Sequence, residues 1–183
     1  MMLSTIHKDH VNISKLLKLL KQKIKKLEKD KAIDYRLVKA IITYLKNYSD
    51  KYHHPMEDMI YDYYLKYRVV PDKVANRLSQ EHKLIKEATI ELDELLAMIL
   101  LDAVVPKEQC IERLKHFVEL QSAHMSYEEL EILPKIEASL SEDDWIKLKD
   151  QWKDNPQSDP LFGKKISEQY KQLAERIKQD SAK

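Results

Sequence analysis

Glycine is almost absent from this chain, with one in 183 residues alongside six prolines, one cysteine, two tryptophans and two phenylalanines. Leu, Lys, Ile and Glu dominate instead, the composition of long helices joined by short turns, so an all-α fold is expected. The lone cysteine, Cys110, excludes an intramolecular disulfide and suits a reducing compartment. Excess charge is missing too: 32 Lys and Arg face 31 Asp and Glu. No global field therefore draws in nucleic acid or an anionic membrane. No uncharged run is long enough to span a bilayer, and the start of the chain lacks the apolar stretch of a signal peptide. A cytoplasmic location is the expectation, with neither nucleic acid nor membrane as partner.

What is present is apolar periodicity at three- and four-residue steps. A first stripe runs Ile6, His10, Ile13, Leu17, Leu20, Ile24 and Leu27. A second runs Val38, Ile42, Leu45, Ser49, His53, Glu57, Ile60 and Tyr64, ending before Val70 and Pro71. The third reads Val74, Leu78, His82, Ile85, Thr89, Leu92, Leu96 and Ile99, and the fourth Leu114, Phe117, Gln121, His124, Glu128 and Ile132 until Pro134 disturbs it. Four amphipathic helices with short connections predict an up-down-up-down bundle over residues 1–138. Each carries polar, metal-ligating residue types in the stripe that must face inward, where an unpaired charge or imidazole is costly.

The halves echo each other. His10 and His53 are 43 positions apart, His82 and His124 are 42. Asp9-His10 and Glu81-His82 open the two halves, while His53-x-x-x-Glu57-Asp58 and His124-x-x-x-Glu128-Glu129 close them, as in a tandem duplication. A His and a Glu four residues apart lie about 40° apart around a helix and roughly 6 Å along it, so both can reach one cation. Two such pairs and two further histidines supply nitrogen and oxygen donors suited to iron, manganese or zinc, without the thiolates of a structural zinc site.

This four-part pattern resembles the hemerythrin-like family, the HHE cation-binding domain, over roughly residues 4–136. The resemblance implies that His10, His53, His82 and His124 are iron ligands and that Glu57 and Glu128 bridge two iron ions. Well-known members bring a fifth histidine, and its usual locations hold Lys31 on one side and Gln80, Lys83 and Lys86 on the other. His54, His7 or a water is left to fill that place, with Asp58 a further candidate ligand or supporting group. The family implies dioxygen or nitric-oxide binding, iron handling, or peroxide chemistry. A diatomic-ligand binder is the first expectation, an oxidoreductase acting on peroxide the second, and a metal-free interaction module the third, with the protein a monomer or homodimer.

Other features read more plainly. His116 falls off its stripe and should be solvated, as should the Lys-rich face from Lys15 to Lys29. Pro55, inside the second stripe, predicts a kink or an irregular turn. Seven tyrosines crowd the same segment, and some could line a pocket. Ser141-Glu142-Asp143-Asp144 predicts a capped helix containing Trp145 and Leu148. A loop from Asn155 to Gly163 and a last helix through Tyr170 and Ile177 complete a C-terminal extension, residues 139–183, packed on the bundle.

Overall fold

The computed structural model describes residues 2–67, 72–153 and 159–181, and among them there is no strand. The turn expected at Val70 and Pro71, and Asn155 and Pro156 of the expected loop, lie outside these residues. Four long rods make the bundle. The first is α1 (Met2–Glu28). The second joins α2 (Tyr35–Tyr48), a π-helical turn (Ser49–His53) and α3 (His54–Tyr67). The third is α4 (Asp72–Leu100). The fourth joins α5 (Lys107–Tyr127), another π-helical turn (Glu128–Ile132) and α6 (Leu133–Ser139). Each rod packs on the next and the fourth returns to the first, an up-down-up-down arrangement.

Both prolines act through the turn before them. Proline has no N–H and its ring presses on the carbonyl four residues back, so an α-helix cannot run through it undisturbed. Here the backbone widens first: the N–H of His54 reaches Ser49 O just before Pro55, and the N–H of Leu133 reaches Glu128 O just before Pro134. The fourth rod consequently continues past Pro134 to Ser139 rather than ending there.

The hairpin tips turn without glycine. Asp30 (φ 54°) and Asp102 (φ 61°) sit in the left-handed region, where the chain reverses after α1 and α4. The N–H of Lys31 then reaches Lys26 O at 2.9 Å, and that of Ala103 reaches Met98 O at 3.0 Å, satisfying carbonyls at each helix end. A side chain with a Cβ is strained in this region. Asp102→Gly should therefore stabilise the fold by about 0.5–1 kcal/mol, raising the thermal midpoint followed by circular dichroism by about 2 °C. An unchanged or lower midpoint would show that Asp102 bears no such strain.

Apolar side chains form two separate cores. One gathers Ile13, Leu20, Ile42, Leu45, Leu96 and Phe117 towards the hairpin tips, and the other Leu3, Ile6, Ile60, Leu78, Ile132 and Ile136 towards the opposite end. On every rod the buried histidine lies between a residue of one core and a residue of the other. The C-terminal segments close both ends. Ser141 caps α7 (Glu142–Trp152) through the expected reciprocal box with Asp144, and Leu148 enters the second core. After a 3-10 turn (Glu168–Tyr170), α8 (Lys171–Ser181) adds Leu173, Ala174 and Ile177 to the first. Two tyrosines tie these segments down, Tyr44 donating to Asp159 at 3.1 Å and Tyr63 to Asp144 at 2.6 Å.

Candidate metal centre

Between the two cores the rods present a polar layer. His10 comes from α1, His53 from the end of the first π-helical turn, His54 and Glu57 from the start of α3, His82 from α4, His124 from α5 and Glu128 from the start of the second π-helical turn. All are buried, and both glutamates are 0% exposed. Adjacent residues on an α-helix point about 100° apart, so His53 and His54 are not obvious joint candidates, yet both face inward where the helix is widened. Two groups of donor atoms result, each within 4.8 Å: His54, Glu57, His82 and His124 form one, and His10, His53 and Glu57 the other.

The glutamates span the two groups. Glu57 turns Oε1 towards the Nε2 atoms of His10 (3.2 Å) and His53 (3.3 Å), and Oε2 towards Nε2 of His82 (3.5 Å). Glu128 turns Oε1 towards Nε2 of His124 (3.2 Å) and His82 (3.7 Å), and Oε2 towards His10 (3.4 Å). Neither Glu57 Oε2 nor Glu128 Oε2 accepts a hydrogen bond. A buried carboxylate oxygen without a donor is costly, and a cation is one way to satisfy it.

The histidines are oriented from behind. Carboxylates accept from Nδ1 of His10 (Glu129, 2.6 Å), His53 (Asp9, 3.3 Å), His82 (Asp58, 2.7 Å) and His124 (Glu81, 2.9 Å). Asp50 lies 3.5 Å from Nδ1 of His54. With the proton held on Nδ1, each Nε2 offers a lone pair to the centre. His82 and His124 consequently aim Nε2 at Nε2 across 2.9 Å. Two lone pairs at that separation repel, so something positive belongs beside them.

In the protein alone, protons supply that charge. Burial opposes charging His10, but hydrogen bonds to Glu128 and Glu57 push it up to about 11. Burial likewise opposes His82, and hydrogen bonds to Asp58, Glu128 and Glu57 push it up to about 12. Burial would raise Glu57, yet His53, His10 and His82 hold it well below the usual carboxylate range. Glu128, raised by burial and by Glu57, is pulled by His10 and His82 to about 2. His54 behaves oppositely: burial, helped by the charges of His82 and His53 and opposed by Asp50, lowers it to about 4. Its ring is neutral at neutral pH and free to donate. This donor set, five imidazoles and two anionic carboxylates, fits a cation-binding centre.

The remaining candidates lie outside the converging set. His7 is 45% exposed and meets Glu129 at 2.8 Å. Asp58, 52% exposed, stands behind His82. His116 is exposed. Asp9, Asp50, Glu81 and Glu129 stand behind the converging histidines, and three of the four are the acids that the sequence repeats beside the candidate ligands. Tyr61 donates to Glu128 Oε1 at 2.6 Å, and burial together with the charges of Glu57 and Glu128 keeps its phenol protonated. A groove of about 600 Å³ between α1 and α5 is lined by His7, Val11, Met125, Ser126 and Glu129, and His10 is the one member of the donor set along it. Among the described residues no helix is long and apolar enough to cross a membrane.

Comparison with curated proteins finds no match, and neither does comparison with solved structures. A family model does match, that of the hemerythrin HHE cation binding domain, over residues 1–136. The match covers well over half of the chain, and this chain belongs to the hemerythrin HHE cation-binding family.

Proposed function

We propose that this chain binds two iron ions and, through them, a diatomic ligand such as dioxygen or nitric oxide. The observation that carries the reading is the division of each glutamate. Glu57 and Glu128 both turn one oxygen to the His10 side and the other to the His82 side, as a carboxylate does when it spans two cations. His54, His82 and His124 would hold one ion, and His10 and His53 the other. Zinc or manganese could occupy the same nitrogen and oxygen donors, and iron is favoured by the family's chemistry.

The histidine count also supports an open position. An ion held by His10 and His53 would have one imidazole fewer, which would leave room for a small exogenous ligand. When bound, a ferrous pair supplies two electrons at that position, which suits reversible binding of a diatomic molecule. The chain's own contribution is to exclude bulk water with an apolar core on either side of the polar layer. Tyr61 holds a proton beside the glutamates, its hydroxyl donating to Glu128 Oε1.

That phenol favours a second reading, an oxidoreductase acting on peroxide, because cleaving an O–O bond needs a proton source close by. The two separate in one experiment. Protein loaded anaerobically with Fe(II) should contain two irons per chain and develop, on exposure to air, a charge-transfer band that reverses under vacuum. Rapid bleaching with consumption of added peroxide would establish the oxidoreductase instead. Absence of stoichiometric metal would leave a helical interaction module.

A further inference from the structure

An acidic residue stands beside a proposed ligand on each rod: Asp9 before His10, Asp58 after Glu57, Glu81 before His82 and Glu129 after Glu128. Each of them accepts a hydrogen bond from a histidine on another rod. Asp9 of the first rod accepts from His53 of the second, at 3.3 Å. Asp58 of the second accepts from His82 of the third, at 2.7 Å. Glu81 of the third accepts from His124 of the fourth, at 2.9 Å. Glu129 of the fourth accepts from His10 of the first, at 2.6 Å, and the circuit closes.

Resting on the reading of these histidines as cation ligands, we infer that the four carboxylates are positioning residues forming a closed ring, in which every rod orients the metal-binding imidazole of the next. Helix geometry accounts for the ring's single sense. When a ligand points at the bundle axis, its sequence neighbour is rotated about 100° from that direction and points along the bundle wall. On a rod running up, the preceding residue is rotated clockwise as seen from the top. On a rod running down, the view of the right-handed helix is reversed, and the following residue is the one rotated clockwise. The acids occupy the preceding position on the first and third rods and the following position on the second and fourth. All four therefore face the neighbour on the same side.

Three ring members are themselves steadied from outside. Tyr48 donates to Asp9 at 3.4 Å, Arg77 Nε to Glu81 at 2.6 Å, and His7 lies 2.8 Å from Glu129. His54 stands apart from the ring, its nearest acid being Asp50, one turn earlier on its own rod. A carboxylate on Nδ1 fixes the tautomer and the ring plane, and removing such a partner typically lowers metal affinity by about 10–100-fold.

The test uses the full chain and zinc(II), a diamagnetic probe. Asp9→Asn and Glu81→Gln should each lower zinc affinity by about 10–100-fold with unchanged helicity. In proton–nitrogen spectra of the zinc-loaded protein, Asp9→Asn should displace the Nδ1–H resonance of His53, assigned by its loss in His53→Gln, and leave that of His10 in place. Glu81→Gln should likewise displace His124 and spare His82. A merely structural role would change stability without this selectivity. If Asp9→Asn moves His10 in place of His53, or if zinc affinity falls less than about 3-fold in both variants, the ring is overturned while the ligand reading stands. Wild-type protein that takes up neither zinc nor iron overturns both.

Discussion

His82→Ala combined with His124→Ala should strip the chain of stoichiometric metal while leaving it helical. These two imidazoles supply half of the group formed with His54 and Glu57, and they carry the Nε2 atoms that face each other at 2.9 Å. Without them Glu128 Oε1 keeps only Tyr61 as a close partner, and His54 with one shared carboxylate oxygen is too sparse a donor set for tight binding. The fold should survive because the helix stripes and both apolar cores are untouched. Asp58, left without its partner, is already half in solvent. The cavities left by the truncations should lower stability of the metal-free chain by about 2–5 kcal/mol. Metal analysis of purified variant and wild type, beside their circular dichroism, checks both halves of the expectation. Two metals per chain in the variant would show that the ligands lie elsewhere.

Metal removal should act most strongly above neutral pH. In the metal-free chain His10 and His82 have raised values, about 11 and about 12, so their stabilisation is full below 6.5 and is lost as pH rises towards those values. Glu57 and Glu128 are depressed, Glu128 to about 2, so their stabilisation is full above 4.5 and is lost as pH falls through the folded value. His54, lowered to about 4, penalises the fold as pH drops below 6.5. The metal-free bundle is therefore most stable near 6.5. A cation held by these histidines would take over the role of the protons on His10 and His82, which would have to leave before Nε2 could coordinate. Loading at neutral pH should release about two protons, and affinity should rise with pH. Thermal unfolding across pH with and without chelator, and dye-monitored proton release on zinc addition, measure these effects. Equal loss of stability on chelation at pH 6 and pH 9, with no protons released, would contradict this electrostatic account.

Much of this molecule is legible along the chain because helices translate spacing directly into direction. Four stripes with a polar interruption in each place His10, His53, Glu57, His82, His124 and Glu128 on inward faces, and the structure brings these six together. The capping box at Ser141 is equally local, requiring only residues three apart. His54 is different. An undisturbed α-helix turns it well away from His53, and nothing in the spacing says that the turn before Pro55 widens. The effect of Pro134 was hidden for the same reason, since a proline that ends one helix is absorbed by a π-helical turn in another. Asp9, Glu81 and Glu129 were visible as repeated acids, but their partners are on other rods.

Composition, periodicity and the duplicated HxxxE pattern by themselves determined a helical bundle with a polar layer of nitrogen and oxygen donors, since these properties depend on residues a few positions apart. Which carboxylate oxygen faces which histidine, which acid stands behind which ring, and whether His54 joins the centre were decided only when the four rods packed. Those relations join residues as far apart as His10 and Glu129. Their geometry follows from rod order, direction and the widened turns, and no local spacing rule contains them.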